Sequence, residues 1–248
     1  MNNRQPAITV TDLTRTYGTK EKRFTAVDGI SFDVHHGEVF GLLGTNGAGK
    51  TSTLELIEGL SSPDGGEIRV LGLDPVADRQ QLRPELGIML QSGGLPSQLT
   101  VAETMRMWAG TCSTPRDIGE VLADVDLTHR ADVKVGALSG GEQRRLDLAC
   151  ALVGDPSIII LDEPTTGLDP ESRRNVWDLL TALKERGTTM VLTTHYLEEA
   201  DHLCDRIAIM HEGGIRLAGT PAELVAEVAA EITLTLPVGH PPLPELPG

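Results

Sequence analysis

Apolar positions along this chain recur in two rhythms, and the changes from one to the other mark its elements. Residues 7–10 alternate apolar and polar side chains, as a strand does when one face is buried. Residues 27–34 and 38–43 predict two more strands, the second running straight into a glycine-rich turn. From Lys50 to about Leu60 the period becomes helical, and Ser61-Ser62-Pro63-Asp64-Gly65-Gly66 stops that helix with turn-forming residues. Short strands over 67–71 and 87–90 follow. Between about 92 and 155 the strand signals vanish and helices are predicted over 101–109, 117–125 and 140–153, so this stretch reads as a helical lobe inserted between strands. Beyond it, Ile158-Ile159-Ile160-Leu161 is a continuous apolar run, the mark of a parallel strand buried on both faces. Val176, Leu179, Leu180 and Leu183 sit at helical spacing within 171–186, and Gly187 supplies the stop. A β-branched strand over 189–194 comes next, then a hairpin of 206–210 and 215–218. Thr220-Pro221 starts a last helix with proline at its first position. Alternating strands and helices predict an α/β chain built on a parallel sheet.

Composition narrows what such a chain can do. Hydrophobic residues make up 40% of 248, enough to fill a sizeable core, but aromatics are only 3%, too few for a base-stacking platform. Twenty-one basic against 36 acidic residues leave a net charge of −15, which repels a phosphate backbone and argues against nucleic acid as the partner. No run approaches the roughly 20 apolar residues that span a bilayer. The N-terminus lacks the apolar core of a secretory signal. The expected location is therefore cytoplasmic, with any membrane role supplied by a partner. Three cysteines without a C-x-x-C pair predict reduced thiols. Five prolines in the last twelve residues predict an extended tail.

Chemistry concentrates at three places. Gly44-Thr45-Asn46-Gly47-Ala48-Gly49-Lys50-Thr51, followed by Ser52, matches G-x-x-x-x-G-K-[ST] between a predicted strand and a predicted helix. Glycines let the backbone N–H groups wrap a polyphosphate, the helix start adds partial positive charge, and Lys50 reaches the β- and γ-phosphates. Thr51 can place its hydroxyl on Mg²⁺. The apolar strand at 158–161 ends in Asp162 and Glu163. Ligands gather at the carboxyl ends of parallel strands, so Asp162 is the candidate for the metal and Glu163 for polarising an attacking water. His195 and Gln91 end two other strands at the same sheet edge, as a γ-phosphate contact and as a neutral group for Mg²⁺ or water. The third place is Leu138-Ser139-Gly140-Gly141-Glu142-Gln143, a helix start with an N-cap serine and two glycines. It reads either as a second anion site or as an ordinary capped helix with Leu146, Ala149 and Val153 inward and Arg144 and Arg145 solvated.

With these residues in place, nearly all of 6–225 resembles the ATP-binding subunit of an ABC transporter. In that resemblance 138–143 is the signature, Gly44 to Thr51 is Walker A and 158–163 is Walker B. Gln91 falls at the Q-loop, Gly167-Leu168-Asp169 at the D-loop, His195 at the switch histidine, and Tyr17 at the aromatic that stacks on adenine. The resemblance implies a P-loop NTPase (RecA-like) core with an N-terminal antiparallel β subdomain and an inserted helical lobe. The ATPase domain would span 6–228, with a short C-terminal strand and Pro-rich tail over 229–248. It also implies ATP and Mg²⁺, with catalytic roles for Glu163, His195 and Gln91. A second ATP-binding subunit, identical or similar, would let Ser139, Gly140, Gly141 and Glu142 hold the opposite ATP. An integral membrane permease on a separate chain would meet the helical lobe. The stretch after Gln91 is most similar to the drug and antibiotic exporter branch. Soluble ABC-type ATPases and other P-loop kinases or GTPases are the competing classes. The single domain and the signature, respectively, weigh against them.

Overall fold

The structure, a computed structural model, describes residues 6–19, 22–91 and 93–227. The chain opens with strands β1 (Ile8–Thr19), β2 (Lys22–Val34) and β3 (Val39–Leu43), then helix α1 (Lys50–Ile57) and strand β4 (Gly65–Val70). A short helix α2 (Arg79–Leu82) and a 3₁₀ turn lead into β5 (Leu86–Met89). Helices α3 (Val101–Ala109), α4 (Ile118–Asp124) and α5 (Gly140–Leu152) follow before β6 (Ile158–Asp162). The chain finishes with α6 (Pro170–Glu185), β7 (Thr189–Thr194), α7 (Leu197–Leu203), β8 (Arg206–His211), β9 (Gly214–Gly219) and α8 (Pro221–Glu227).

These elements form two sheets. The first is antiparallel, in the order β2-β1-β4, and the second is six-stranded, in the order β5-β6-β7-β3-β8-β9. Strands β5, β6, β7, β3 and β8 run parallel, and β9 returns antiparallel beside β8. Side chains alternate across a strand, so the large sheet divides the core in two. Ile158 and Ile160 of β6 pack with Leu54, Ile57 and the apolar face of the antiparallel sheet. Ile159 and Leu161 pack on the other side with the lobe residues Met105, Val121 and Leu146. This is the P-loop NTPase arrangement: a parallel core, an antiparallel β subdomain on one face, and helices inserted between β5 and β6.

Several local features depart from the sequence pattern. Strand β1 continues nine residues past Val10, because a bulge between Val10 and Leu13 shifts its register with β2. Asp12 turns to φ 48° there, with its N–H donating to Ser31 Oγ, and the alternation on which the shorter expectation rested breaks. Strand β2 starts at Lys22 rather than Val27; its first four residues, Phe24 among them, are all exposed, so they carry no in–out alternation. Helix α1 ends at Ile57, short of Leu60, because Gly59 turns to φ 67° with its N–H bonded to the Leu56 carbonyl. Helix α7 carried no sequence signal: it is one short stretch whose inward residues include the charged Glu199. The two signature-helix arginines are not a solvated face. Arg144 is buried, and Arg145 donates to Asp126 and to the Val125 carbonyl. The C-terminal strand and proline tail expected over 229–248 lie outside the described residues.

Candidate functional site

Parallel strands bring their carboxyl ends to one edge, and four of them deliver the site there. Strand β3 opens into the loop from Gly44, β5 leads to Gln91, β6 ends at Asp162 with Glu163 next, and β7 ends one residue before His195. The Gly44 N–H donates to the Thr194 carbonyl at 3.2 Å, pinning the loop to β7.

The loop is built for backbone donation. Gly49 is the N-cap of α1 at φ 103°, and a Cβ there would sit 2.1 Å from the Ala26 carbonyl oxygen. Only glycine fits that position. No side chain caps α1 and no acidic residue stands in its first turn, so its leading N–H groups are free to point at an anion. Thr45, Asn46 and Gly47 are exposed on the loop, Ala48 is buried beneath it, and Ser52 is half-buried in the first turn. The Lys50 ammonium is buried, donates to the Gly44 carbonyl at 2.8 Å and the Thr45 carbonyl at 3.3 Å, and lies 3.6 Å from Glu163 Oε1.

Thr51 Oγ1 donates to Asp162 Oδ2 at 3.0 Å, so hydroxyl and carboxylate already converge. A hard divalent cation takes oxygen ligands and keeps several for phosphate and water, and the Thr51 hydroxyl with the Asp162 carboxylate fits Mg²⁺. Bound there, Mg²⁺ would offset the negative charge of the phosphates. Asp162 also accepts from the Thr193 hydroxyl, which in turn takes the Glu163 N–H at 3.0 Å.

Glu163 is the centre of the constellation. Its backbone adopts φ 47°, a left-handed conformation that costs a non-glycine residue about 1–3 kcal/mol and must be held by its surroundings. Its carboxylate accepts from Gln91 Nε2 at 3.2 Å and from Thr166 Oγ1 at 2.9 Å, and faces His195 Nδ1 at 3.4 Å. Burial by itself would raise the carboxyl's pKa, but the Thr166 hydroxyl, the Lys50 ammonium and His195 more than offset it. The net shift is downward, so the carboxylate is ionised at neutral pH and able to accept a proton.

Two groups of candidate residues lie apart from this edge. Tyr17, on β1, donates its hydroxyl to Glu55 Oε2 of α1 at 3.2 Å, while the Arg15 guanidinium lies over its ring, 4.9 Å from the centroid. The signature residues begin α5. The Ser139 hydroxyl accepts the Glu142 N–H at 3.2 Å, and Glu142 Oε2 accepts the Ser139 N–H at 2.8 Å, a complete capping box. Glu142 Oε1 further takes Arg130 Nε at 2.6 Å. Glu142 is thus occupied in holding the helix start; Ser139 and Gly140 are exposed there, whereas Gly141 is buried against the Ser172 side chain. Thr166, Thr193 and Arg144 were not legible as site residues. Thr166 alone had a signal, three positions after Glu163 in the same turn.

Comparison with known proteins identifies the family and the fold. A family model described as ABC transporter matches residues 27–166, more than half of the chain. The chain is 41% identical over 237 residues to Nod factor export ATP-binding protein I of Paraburkholderia xenovorans, covering 92% of this chain and 76% of that protein. It is 44% identical over 222 residues to the protein of the same name in Burkholderia pseudomallei, covering 86% and 73%. Among solved structures, cbiO1 of Clostridium perfringens, part of the ABC transporter complex cbiONQ, superposes with TM-score 0.79 at 30% identity, covering 90% of this chain and 91% of that one. The ATP-binding cassette MJ0796, dimeric in a post-hydrolysis state with ADP and Pi, gives TM-score 0.77 at 26% identity, covering 86% and 98%. With a phosphate loop, an acidic strand end and a signature helix arranged as described, this chain belongs to the ABC transporter family and is an ATP-hydrolysing subunit of such a transporter.

Proposed function

We propose that this chain pairs with a second ATP-binding subunit, its own copy or a similar chain, and closes around ATP to power export through an integral membrane permease encoded separately. Lys50 and the 44–52 loop hold the phosphates of one ATP, and Tyr17 stacks on its adenine. Thr51, Asp162 and Gln91 serve Mg²⁺. Glu163 accepts the proton of the attacking water, and His195 steadies the γ-phosphate. Ser139, Gly140 and Gly141 of the facing subunit complete the pocket, with Glu142 fixing their geometry. Cleavage removes the ligand that joins the two copies, and they separate. The chain then sits on the inner face of the membrane only through its permease; among the described residues no helix is long and apolar enough to cross a bilayer.

The observation that carries this reading is the position of Gln91. Its side chain bonds to Glu163, while the preceding residue, Leu90, lines a groove of about 570 Å³ between the sheet edge and the lobe. Leu60, Leu90 and Trp108 keep 46%, 53% and 38% of their surface exposed along that groove. A patch of large apolar side chains beside a catalytic edge suits a short helix of a membrane partner. Export is supported by the relatives, which are Nod factor export proteins. Drugs, antibiotics or other hydrophobic compounds are the cargo class we carry forward from the branch resemblance.

Ser139→Arg tests the shared pocket. We expect the variant to bind ATP normally as a monomer, to lose ATP-dependent dimerisation by light scattering, and to stop turning over ATP. A variant that still dimerises, or a wild-type monomer whose turnover per chain is independent of protein concentration, overturns the model.

A further inference from the structure

Arg144 sits five residues beyond Ser139 on α5, with only 7% of its surface exposed. Its guanidinium meets four backbone carbonyls. Nε donates to Pro164 at 2.8 Å, Nη2 to Asp162 and Glu163 at 2.9 Å each, and Nη1 to Leu90 at 2.7 Å. Asp147, one turn along the same helix, supplies the counter-charge at 3.7 Å. One side chain from the signature helix therefore grips the exit of β6 on both sides of the strained Glu163 and the residue just before Gln91.

Those carbonyls converge on one guanidinium. With Glu163 at φ 47°, the backbone leaves its regular course and successive oxygens turn to one side. Backbone oxygens in a buried setting need donors, and a planar fork of five N–H groups is the one side chain that can serve several from a fixed position. Lysine offers a compact point charge instead and cannot span them. We propose that Arg144 is a positioning residue: it holds Glu163 in the orientation that faces the phosphate edge and ties that orientation to the signature helix. The inference rests on the shared-pocket reading above, because the benefit of the tie is that α5 is the element a second subunit's ATP engages. Arg144 itself touches no substrate.

The test uses Arg144→Lys, Arg144→Gln and Arg144→Ala in the full chain. For Lys and Gln we expect KM for ATP within about twofold of wild type and kcat lower by about 10²-fold, the loss a misplacement of about 1 Å brings. In Arg144→Ala, millimolar ethylguanidinium should restore part of kcat, whereas ethylammonium at the same concentration should not. A purely structural role would move KM, kcat and the melting temperature together and would show no such selectivity. An unchanged kcat in both Lys and Gln variants, or equal rescue by the two amines, overturns the assignment. Arg144→Gln is also placed in a Glu163→Gln background, where ATP-driven dimerisation should match the single Glu163→Gln protein. If Glu163→Gln alone does not dimerise with ATP, the shared pocket fails; if only the double variant does not, Arg144 acts on closure and the positioning role falls.

Discussion

Helices α1 and α5 both start with glycine-rich turns assigned to the same anion, yet their N-termini are finished in opposite ways. The cap of α1 is Gly49, with no side-chain hydrogen bond and no acidic residue in the first turn. The cap of α5 is Ser139, in a full capping box with Glu142, backed by Arg130. An uncapped helix start leaves its orphan donors for a ligand, while a capped one has already satisfied part of them. The first arrangement suits a site that holds its nucleotide within one chain. The second suits a surface that stays folded alone and contributes only a few donors when another copy arrives.

Three changes sharpen or break this contrast, from the largest effect to the smallest. Glu163→Gln keeps the shape at the α1 edge and removes the base, so kcat should fall by about 10²–10⁴-fold while ATP still binds. Normal turnover in a phosphate-release assay would remove Glu163 from the role. Because its carboxyl is held below the ordinary range, the ionised form persists as pH falls and is lost only on passing that lowered value. Wild-type kcat should therefore hold through the mildly acidic range as far as this group controls it. Lys50→Ala removes a charge-assisted phosphate contact worth about 1.5–3 kcal/mol, so the Kd for ATP in titration calorimetry should rise by roughly 10–150-fold. Ser139→Ala dismantles the α5 cap at a cost of about 1 kcal/mol, visible as a lower denaturation midpoint, with ATP affinity of the monomer unchanged. Were Ser139→Ala instead to weaken monomeric ATP binding as Lys50→Ala does, the two helix starts would belong to one site and the contrast would collapse.

The readable parts of the site are those in which chemistry and spacing lie within a few consecutive residues. Gly44 to Thr51, Asp162-Glu163 and Leu138 to Gln143 are each a contiguous demand of the backbone, so their residue types survive as text. Gln91 and His195 were found by a weaker route, as the polar residues that end predicted parallel strands. Arg144 could not be found this way. On a helix wheel it falls among the polar positions of α5, and nothing local says that four carbonyls at the exits of β5 and β6 wait on that side. Thr193 was hidden likewise in a β-branched strand, where a hydroxyl and a methyl look alike in the pattern although its oxygen joins Asp162 to the Glu163 backbone. Long β1 and short α7 were missed because a bulge and a buried Glu199 break the very periodicities on which such readings depend.

By itself the order of residues determined the α/β class, the phosphate loop and the acidic pair, because each follows from local backbone geometry or from strand and helix period; the family and its signature were legible through resemblance. The tertiary structure alone decided that Glu163 sits among Lys50, Gln91 and His195 with its carboxyl pulled downward, and that Arg144 is buried behind that edge. The reason is physical: ionisation, strain and burial depend on groups tens to more than a hundred residues away, and only a folded chain sets those distances.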